Sequence, residues 1–140
     1  MRNEGYTNIE EQYKNEKRIK ECEIRINDIL YPFSYFFNFK QEGKYLIKYK
    51  FKNYLTNTNR IFCGYKSLTY LDLYNFNTQN VTNMEYMFYA CESLTNLDFS
   101  NYNTQNVNNM ERMFCECVSL KKGMVISKDY KILKQLKEDL

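Results

Sequence analysis

LTYLDLYNFNTQNVTNMEYMFYACES (residues 68–93) is followed without a gap by LTNLDFSNYNTQNVNNMERMFCECVS (residues 94–119). The two stretches are offset by 26 residues, and 17 of the 26 positions are identical. A tandem period of about 20–50 residues marks an array whose units cannot bury their apolar faces alone and must pack on one another. The repeat also reaches beyond these copies. Thr56, Asn57 and Phe62 align with Thr82, Asn83 and Phe88, and Ser67-Leu68 recurs as Ser93-Leu94 and Ser119-Leu120. Two complete units are therefore preceded by a degenerate half-unit and followed by the start of another.

Inside a unit the apolar period switches. Leu71 and Leu73 flank Asp72 as Leu97 and Phe99 flank Asp98, which predicts a short strand with two side chains in and one out. Val81, Met84, Met87, Phe88 and Cys91 then recur at spacings of three and four, as do Val107, Met110, Met113, Phe114 and Cys117. That spacing predicts one face of a short helix, started by Thr82 or Asn83.

Working outward, residues 1–21 form a polar lead-in, either frayed or a short helix capped by Thr7 and Glu10. Cys22, Ile24 and Ile26 alternate with Glu23 and Arg25 as a half-buried strand, and Asn27-Asp28 supplies turn chemistry. Phe33, Tyr35, Phe37 and Phe39 alternate next, then Ile47, Tyr49 and Phe51, with Glu42-Gly43 as a hairpin turn between them. Pro32 is placed at a strand start, where its missing donor is tolerated. Residues 22–55 thus read as an antiparallel β cap, and residues 56–126 as the repeat array. Over residues 127–140, Ser127 is the expected cap of a helix with a stripe of Ile132, Leu133, Leu136 and Leu140.

These residues carry a family resemblance. The pattern L-x-x-L-D-[LF]-x-N-[FY]-N-T-Q-N-V-x-N-M-x-x-M-F-x-x-C-x-S, clear over Leu68–Ser119, resembles the BspA-type leucine-rich repeat. That repeat is known from bacterial surface proteins, from a mycoplasma surface-protein domain of unknown function, and from large families in unicellular eukaryotes. The resemblance implies an α/β fold: a short leucine-rich-repeat solenoid of about two full 26-residue units, with the N-terminal antiparallel β cap and a C-terminal capping helix. It also implies a non-enzymatic module that binds a protein. The alternative is a secreted or cell-surface adhesin.

Composition narrows the function classes. The chain has 140 residues, a formal charge of +3 and no histidine, so the commonest general base and metal ligand is missing. Basic and acidic residues are interspersed, the pattern of a solvated face rather than of nucleic-acid binding. No apolar run approaches the ~18 residues of a membrane span, and Met1–Lys20 lacks a secretory stretch. A cytoplasmic chain is the expectation, with the cell surface as the family-based alternative. No nucleophile has a plausible base, no Gly-rich loop cradles phosphate, and no enzyme, cofactor or metal site is expected. Cys115-Glu116-Cys117 lacks zinc-knuckle spacing. Cys91 and Cys117 fall on the inward face and are expected as reduced thiols.

Candidate partner-binding residues are the outward strand positions Tyr70, Asp72 and Tyr74 in one unit and Asn96, Asp98 and Ser100 in the next. Tyrosine is an amphipathic interface anchor, although an exposed Asp in a two-residue alternation is also what any solvated strand presents. Were Asp72 and Asp98 crowded together, repulsion would raise one pKa and mimic a catalytic dyad. Asn77, Asn80, Asn103 and Asn106 recur identically and are expected as a structural ladder that satisfies backbone groups in the turns.

Overall fold

A computed structural model describes residues 17–34, 39–41, 43–73 and 75–140. The expectations for Thr7, Glu10, Tyr35, Phe37, Glu42 and Tyr74 lie outside the described residues. The chain divides into two compact units, Met1–Tyr54 and Leu55–Leu140.

In the first unit, β1 (Glu23–Ile26) is the middle strand of a three-stranded sheet. It pairs antiparallel with β2 (Ile29–Tyr31) on one side and β3 (Ile47–Lys50) on the other. Asn27 and Asp28 take φ values of 48° and 67°, the left-handed pair that a two-residue hairpin requires and that Asn and Asp tolerate. Asn27 also holds the third strand: its N–H donates to the Leu46 carbonyl at 2.8 Å, and its Oδ1 accepts the Leu46 N–H at 2.9 Å. Cys22, Ile24 and Ile26 form the buried core, with Phe33, Tyr45, Ile47, Tyr49 and Phe51 packed against it.

This corrects part of the expected strand order. Neither Phe33 nor Phe39 lies in a strand; the second strand is Ile29–Tyr31. The tight turn at Asn27-Asp28 returns the chain at once, so pairing begins two residues later. Pro32 then follows the strand rather than opening one, since without an N–H it cannot extend the ladder.

The second unit overturns the expected α/β leucine-rich-repeat solenoid of strands opposite helices. Residues 85–90 and 111–116 are turns. Tyr86, Ala90, Arg112 and Glu116 have φ between 54° and 64°, a left-handed conformation that no α-helix contains. The reason lies in where the amides point. Met84, Tyr86, Phe88 and Ala90 donate to the carbonyls of Asn109, Glu111, Met113 and Cys115, at 2.8, 3.0, 3.0 and 3.0 Å. Thr58, Arg60, Phe62 and Gly64 donate in the same register to Asn83, Glu85, Met87 and Tyr89. A helix needs those donors within its own segment; here every second one leaves for the next copy. The three-and-four apolar spacing is met instead by successive turns, closed by bonds such as Met87 N–H to Met84 O and Cys91 N–H to Phe88 O, both 3.1 Å.

Strand structure in the repeats is equally short. Among the described residues of the two copies, β4 (Leu97–Asp98) is the one strand, and it pairs in parallel with β5 (Val125–Ile126), Leu97 opposite Val125. Leu71 and Leu73 lie in no strand, so the strand expected around Asp72 is not formed. Among the described residues, regular structure amounts to the three-stranded antiparallel sheet, the two-stranded parallel sheet, a 3-10 turn at Lys122–Met124, helical residues 17–20 and a C-terminal helix at Tyr130–Asp139. The chain is a small mixed structure held largely by turns.

Phe62, Phe88 and Phe114, one from each copy, stack with ring centroids 5.6 and 6.1 Å apart. Met84, Met87, Leu94, Met113 and Ile132 are fully buried around them. The C-terminal helix is capped by Asp129, whose carboxylate accepts from Lys131 N and Ile132 N, and not by Ser127. Ser127 Oγ accepts the Asp129 N–H at 3.1 Å, one step earlier. Of the expected stripe, Ile132 and Leu136 are buried while Leu133 and Leu140 are exposed.

The helix also closes the repeat. Asp139 Oδ2 accepts the Phe114 N–H at 2.9 Å, 25 residues away, in the place a following copy's carbonyl would occupy. Lys131 Nζ donates to the carbonyls of Thr104 and Val107 at 3.0 and 2.8 Å. Removing either partner strands a backbone group, at about 1–3 kcal/mol. Lys131→Met and Asp139→Ala are each expected to lower the unfolding free energy by that amount, read as a lower urea midpoint with an unchanged m-value. Met87→Asp or Met113→Asp places an unpaired charge in the core and should abolish the cooperative melt, read by circular dichroism.

Candidate functional site

The candidate partner-binding residues sit on exposed turns and on β4. Tyr70 is 63% exposed, and Asp72, Asn96, Asp98 and Ser100 are also exposed. Thr95 N–H and Thr95 Oγ1 both donate to the Thr69 carbonyl, at 3.4 and 3.3 Å. Tyr70 and Asn96 therefore depart from equivalent points of hydrogen-bonded segments. Asp98 and Ser100 are brought together: Asp98 Oδ1 accepts from Ser100 Oγ at 2.5 Å and from Ser100 N at 2.8 Å. The Ser100 hydroxyl, followed by its N–H, holds the Asp98 carboxyl below the usual range. That is opposite to the shift a crowded Asp72/Asp98 dyad would produce.

The asparagines divide into two sets. Asn77 Oδ1 accepts Gln79 N and Asn103 Oδ1 accepts Gln105 N, both at 2.9 Å, so each closes its own turn. Asn106 Nδ2 donates to the Gln79 carbonyl at 2.9 Å, across 27 residues, and Asn80 is exposed. A second set, which sequence reasoning treated only as a helix start, carries the inter-copy bridges. Asn57, Asn83 and Asn109 pair in parallel, and each Oδ1 accepts the N–H two residues on at 2.8–2.9 Å. Their recurrence at 26-residue steps was the available signal.

One further column was missed because its residue types differ. Arg60, Tyr86 and Arg112 occupy equivalent positions, with φ of 58°, 54° and 54°. The Arg60 guanidinium lies 4.6 Å from the Tyr86 ring centroid and that of Arg112 lies 5.9 Å from it. Arg112 Nη1 also donates to Tyr86 Oη at 3.3 Å.

Two shallow clefts open beside the Asn-rich turns. One of about 320 Å³ lies between Asn75, Asn77 and Gln79 on one copy and Asn101 and Asn103 on the next. The other, about 510 Å³, lies between Tyr102–Gln105 and Asp129–Lys131.

The thiols are inward groups. Cys91 Sγ donates to Phe62 O at 3.1 Å and Cys117 Sγ to Phe88 O at 3.0 Å, and all five cysteines are free. Burial pushes the Cys91 thiol up to about 12 and the Cys117 thiol up to about 11. Among the described residues, no group of three or more His, Cys, Asp and Glu side chains is placed to hold a metal ion. Nor is any described helix long and apolar enough to cross a membrane.

The chain belongs to the family described as "Mycoplasma protein of unknown function, DUF285", whose model matches residues 31–137. No curated protein and no solved structure matches it.

Cys91 and Cys117 should react with a disulfide reagent at pH 8 only at the rate of global unfolding. Their raised folded values stabilise the protein fully below the ordinary thiol value of 9.0, and that stabilisation is lost as pH rises toward about 12. Melting temperature should therefore fall across that window, and fall less in Cys91→Ala.

Proposed function

We propose that this chain is a non-enzymatic protein-interaction module related to the BspA-type leucine-rich repeat. The L-x-x-L-D and N-T-Q-N-V-x-N-M segments support that kinship. The partner surface in this reading is the exposed set Tyr70, Asp72, Asn96, Asp98 and Ser100. The observation that carries it is Tyr70, 63% exposed while Leu73, three residues on, is buried. A large amphipathic ring held out on an anchored segment adds contact area at small entropic cost, as interface hot spots do. Asp98 adds a carboxylate already oriented by Ser100. A group fixed before binding, as Asp98 is, needs no ordering when a partner arrives.

Tyr70→Ala combined with Asp98→Asn should leave the melting curve in place, since Tyr70 is solvent-facing and Asn keeps the Oδ1 acceptor that Ser100 uses. Capture of the partner from the native cell should fall by about tenfold or more, as loss of a hot-spot residue costs at least ~2 kcal/mol. Equal recovery with the double variant would discard this surface.

A further inference from the structure

The turns at residues 75–80 and 101–106 carry one composition twice, Asn-Phe-Asn-Thr-Gln-Asn and Asn-Tyr-Asn-Thr-Gln-Asn. The amide side chains of Asn75, Asn77, Gln79 and Asn80 are all exposed, as are their four equivalents 26 residues on. The threonines between them, Thr78 and Thr104, are buried. No Asp, Glu, Lys or Arg occurs from Tyr74 to Met84 or from Phe99 to Met110. Each turn needs one Asx acceptor, supplied by Asn77 or Asn103. Asn106 also donates to the Gln79 carbonyl, and the side-chain amides of Asn75, Gln79, Asn80 and Gln105 exceed what closing the turn demands.

The two clefts lie along this face and share Asn103. Tyr102 lines the second one and is 9% exposed, and its hydroxyl is the buried side-chain polar atom without a hydrogen-bond partner among the described residues. Tyr130, 75% exposed, stands at the same cleft and offers an open ring.

We propose that this amide face binds a neutral, extended oligosaccharide. The turn segments carry no charge. The two charged groups at the second cleft are already engaged, Asp129 by Thr104 and the helix amides and Lys131 by the Thr104 and Val107 carbonyls, so the face favours a ligand without charge. Each carboxamide both donates and accepts, as does each sugar hydroxyl, so the two match without an ionic partner. Open clefts suit a ligand that keeps water bridges to its hydroxyls. Hydrogen-bonded backbone segments lie roughly 4.7–4.9 Å apart, close to the advance per sugar of an extended β-linked chain. Neighbouring sugars of such a chain are turned by about half a turn, so successive copies would meet opposite edges of the ligand, both of which carry hydroxyls. A ring face such as Tyr130 packs the C–H face of a sugar.

The test is an amide-detected NMR titration of the full chain with cellohexaose. Saturable shifts are expected in residues 75–80 and 101–106, with maltohexaose, which coils, binding about tenfold more weakly or less. Gln79→Ala with Gln105→Ala should weaken cellohexaose by about tenfold without moving the melting curve, because these side chains bear no structural bond. The Tyr70 and Asp98 substitutions should leave the titration unchanged, so this proposal and the protein-binding one fail separately. Absence of saturable shifts, equal affinity in the glutamine double variant, or equal shifts from a neutral glycine-serine dodecapeptide would overturn it.

Discussion

The structure of the second unit depends on alternate backbone amides that donate not within their own copy but to the next one. Thr58 to Asn83, Met84 to Asn109, Phe88 to Met113: the bonds run at a constant offset of 25 residues. Once every second donor is committed outward, the segment between cannot be helical, because a helix closes its amides four residues back. The intervening residues must instead alternate direction, and the left-handed φ at Tyr86, Ala90, Arg112 and Glu116 is that alternation. Side chains follow the same rule. Cys91 and Cys117 donate across 29 residues to the Phe62 and Phe88 carbonyls, which also accept the amides that close the turns. The buried hydroxyls of Thr58 and Thr78 reach carbonyls 25 residues on. The buried groups of Thr58, Thr78, Cys91 and Cys117 therefore have their partners in an adjacent copy, which is why a single copy has no stable structure to adopt.

A ladder of this kind must be ended, and the end is chemical rather than apolar. Thr104 repeats the position of Thr78, but no further copy follows it. Its hydroxyl donates instead to Asp129 Oδ2 at 2.5 Å. Asp139 replaces the carbonyl that Phe114 lacks, and the Lys131 ammonium donates to the Val107 carbonyl and adds a second donor to the Thr104 carbonyl, which already accepts the Val107 N–H. The C-terminal helix thus supplies carboxylates where acceptors are missing and an ammonium where donors are missing. Asp129 serves twice, since the same carboxylate starts the helix. Charge-assisted bonds of this type are stronger than the neutral ones they replace.

The period, the inward residues and the C-terminal helix were legible in the sequence. Met84, Met87, Phe88 and Cys91 are buried as their spacing indicated. What the spacing could not reveal was the conformation that buries them. A three-and-four recurrence is helical only if the amides close locally, and nothing in the side-chain pattern reports where an amide points. Strand content was overread for a related reason. Leu71 and Leu73 alternate, yet alternation makes a strand only where a neighbour offers a paired backbone, as Val125 does for Leu97. In the first unit the hairpin at Asn27-Asp28 was visible from its residue types. Its consequence, that the next strand must begin at Ile29, was displaced in favour of the more conspicuous aromatic run. Of the candidate surface, exposure at Tyr70, Asp72, Asn96, Asp98 and Ser100 followed from alternation. The Arg60–Tyr86–Arg112 stack did not, because its members share a position and not a chemistry.

Comparison of the two copies separates what folding demands from what it leaves open. Buried and ladder positions are the same in both: Val81 and Val107, Met84 and Met110, Phe88 and Phe114, Asn83 and Asn109. Exposed positions are generally free to differ, and Tyr70 and Asn96 do, as do Tyr86 and Arg112. The amide face breaks this rule. Asn75, Gln79 and Asn80 are exposed, yet each is repeated unchanged as Asn101, Gln105 and Asn106. Burial does not hold them, and the turn acceptors are Asn77 and Asn103. Asn106 has its donor role toward Gln79, but Gln79 enters that bond only through its carbonyl, which any residue possesses. Side chains that solvent would let vary, and that the backbone scarcely uses, have been kept identical across two units. A repeated set of neutral donors and acceptors, aligned by a ladder the fold already requires, presents one pattern twice in register.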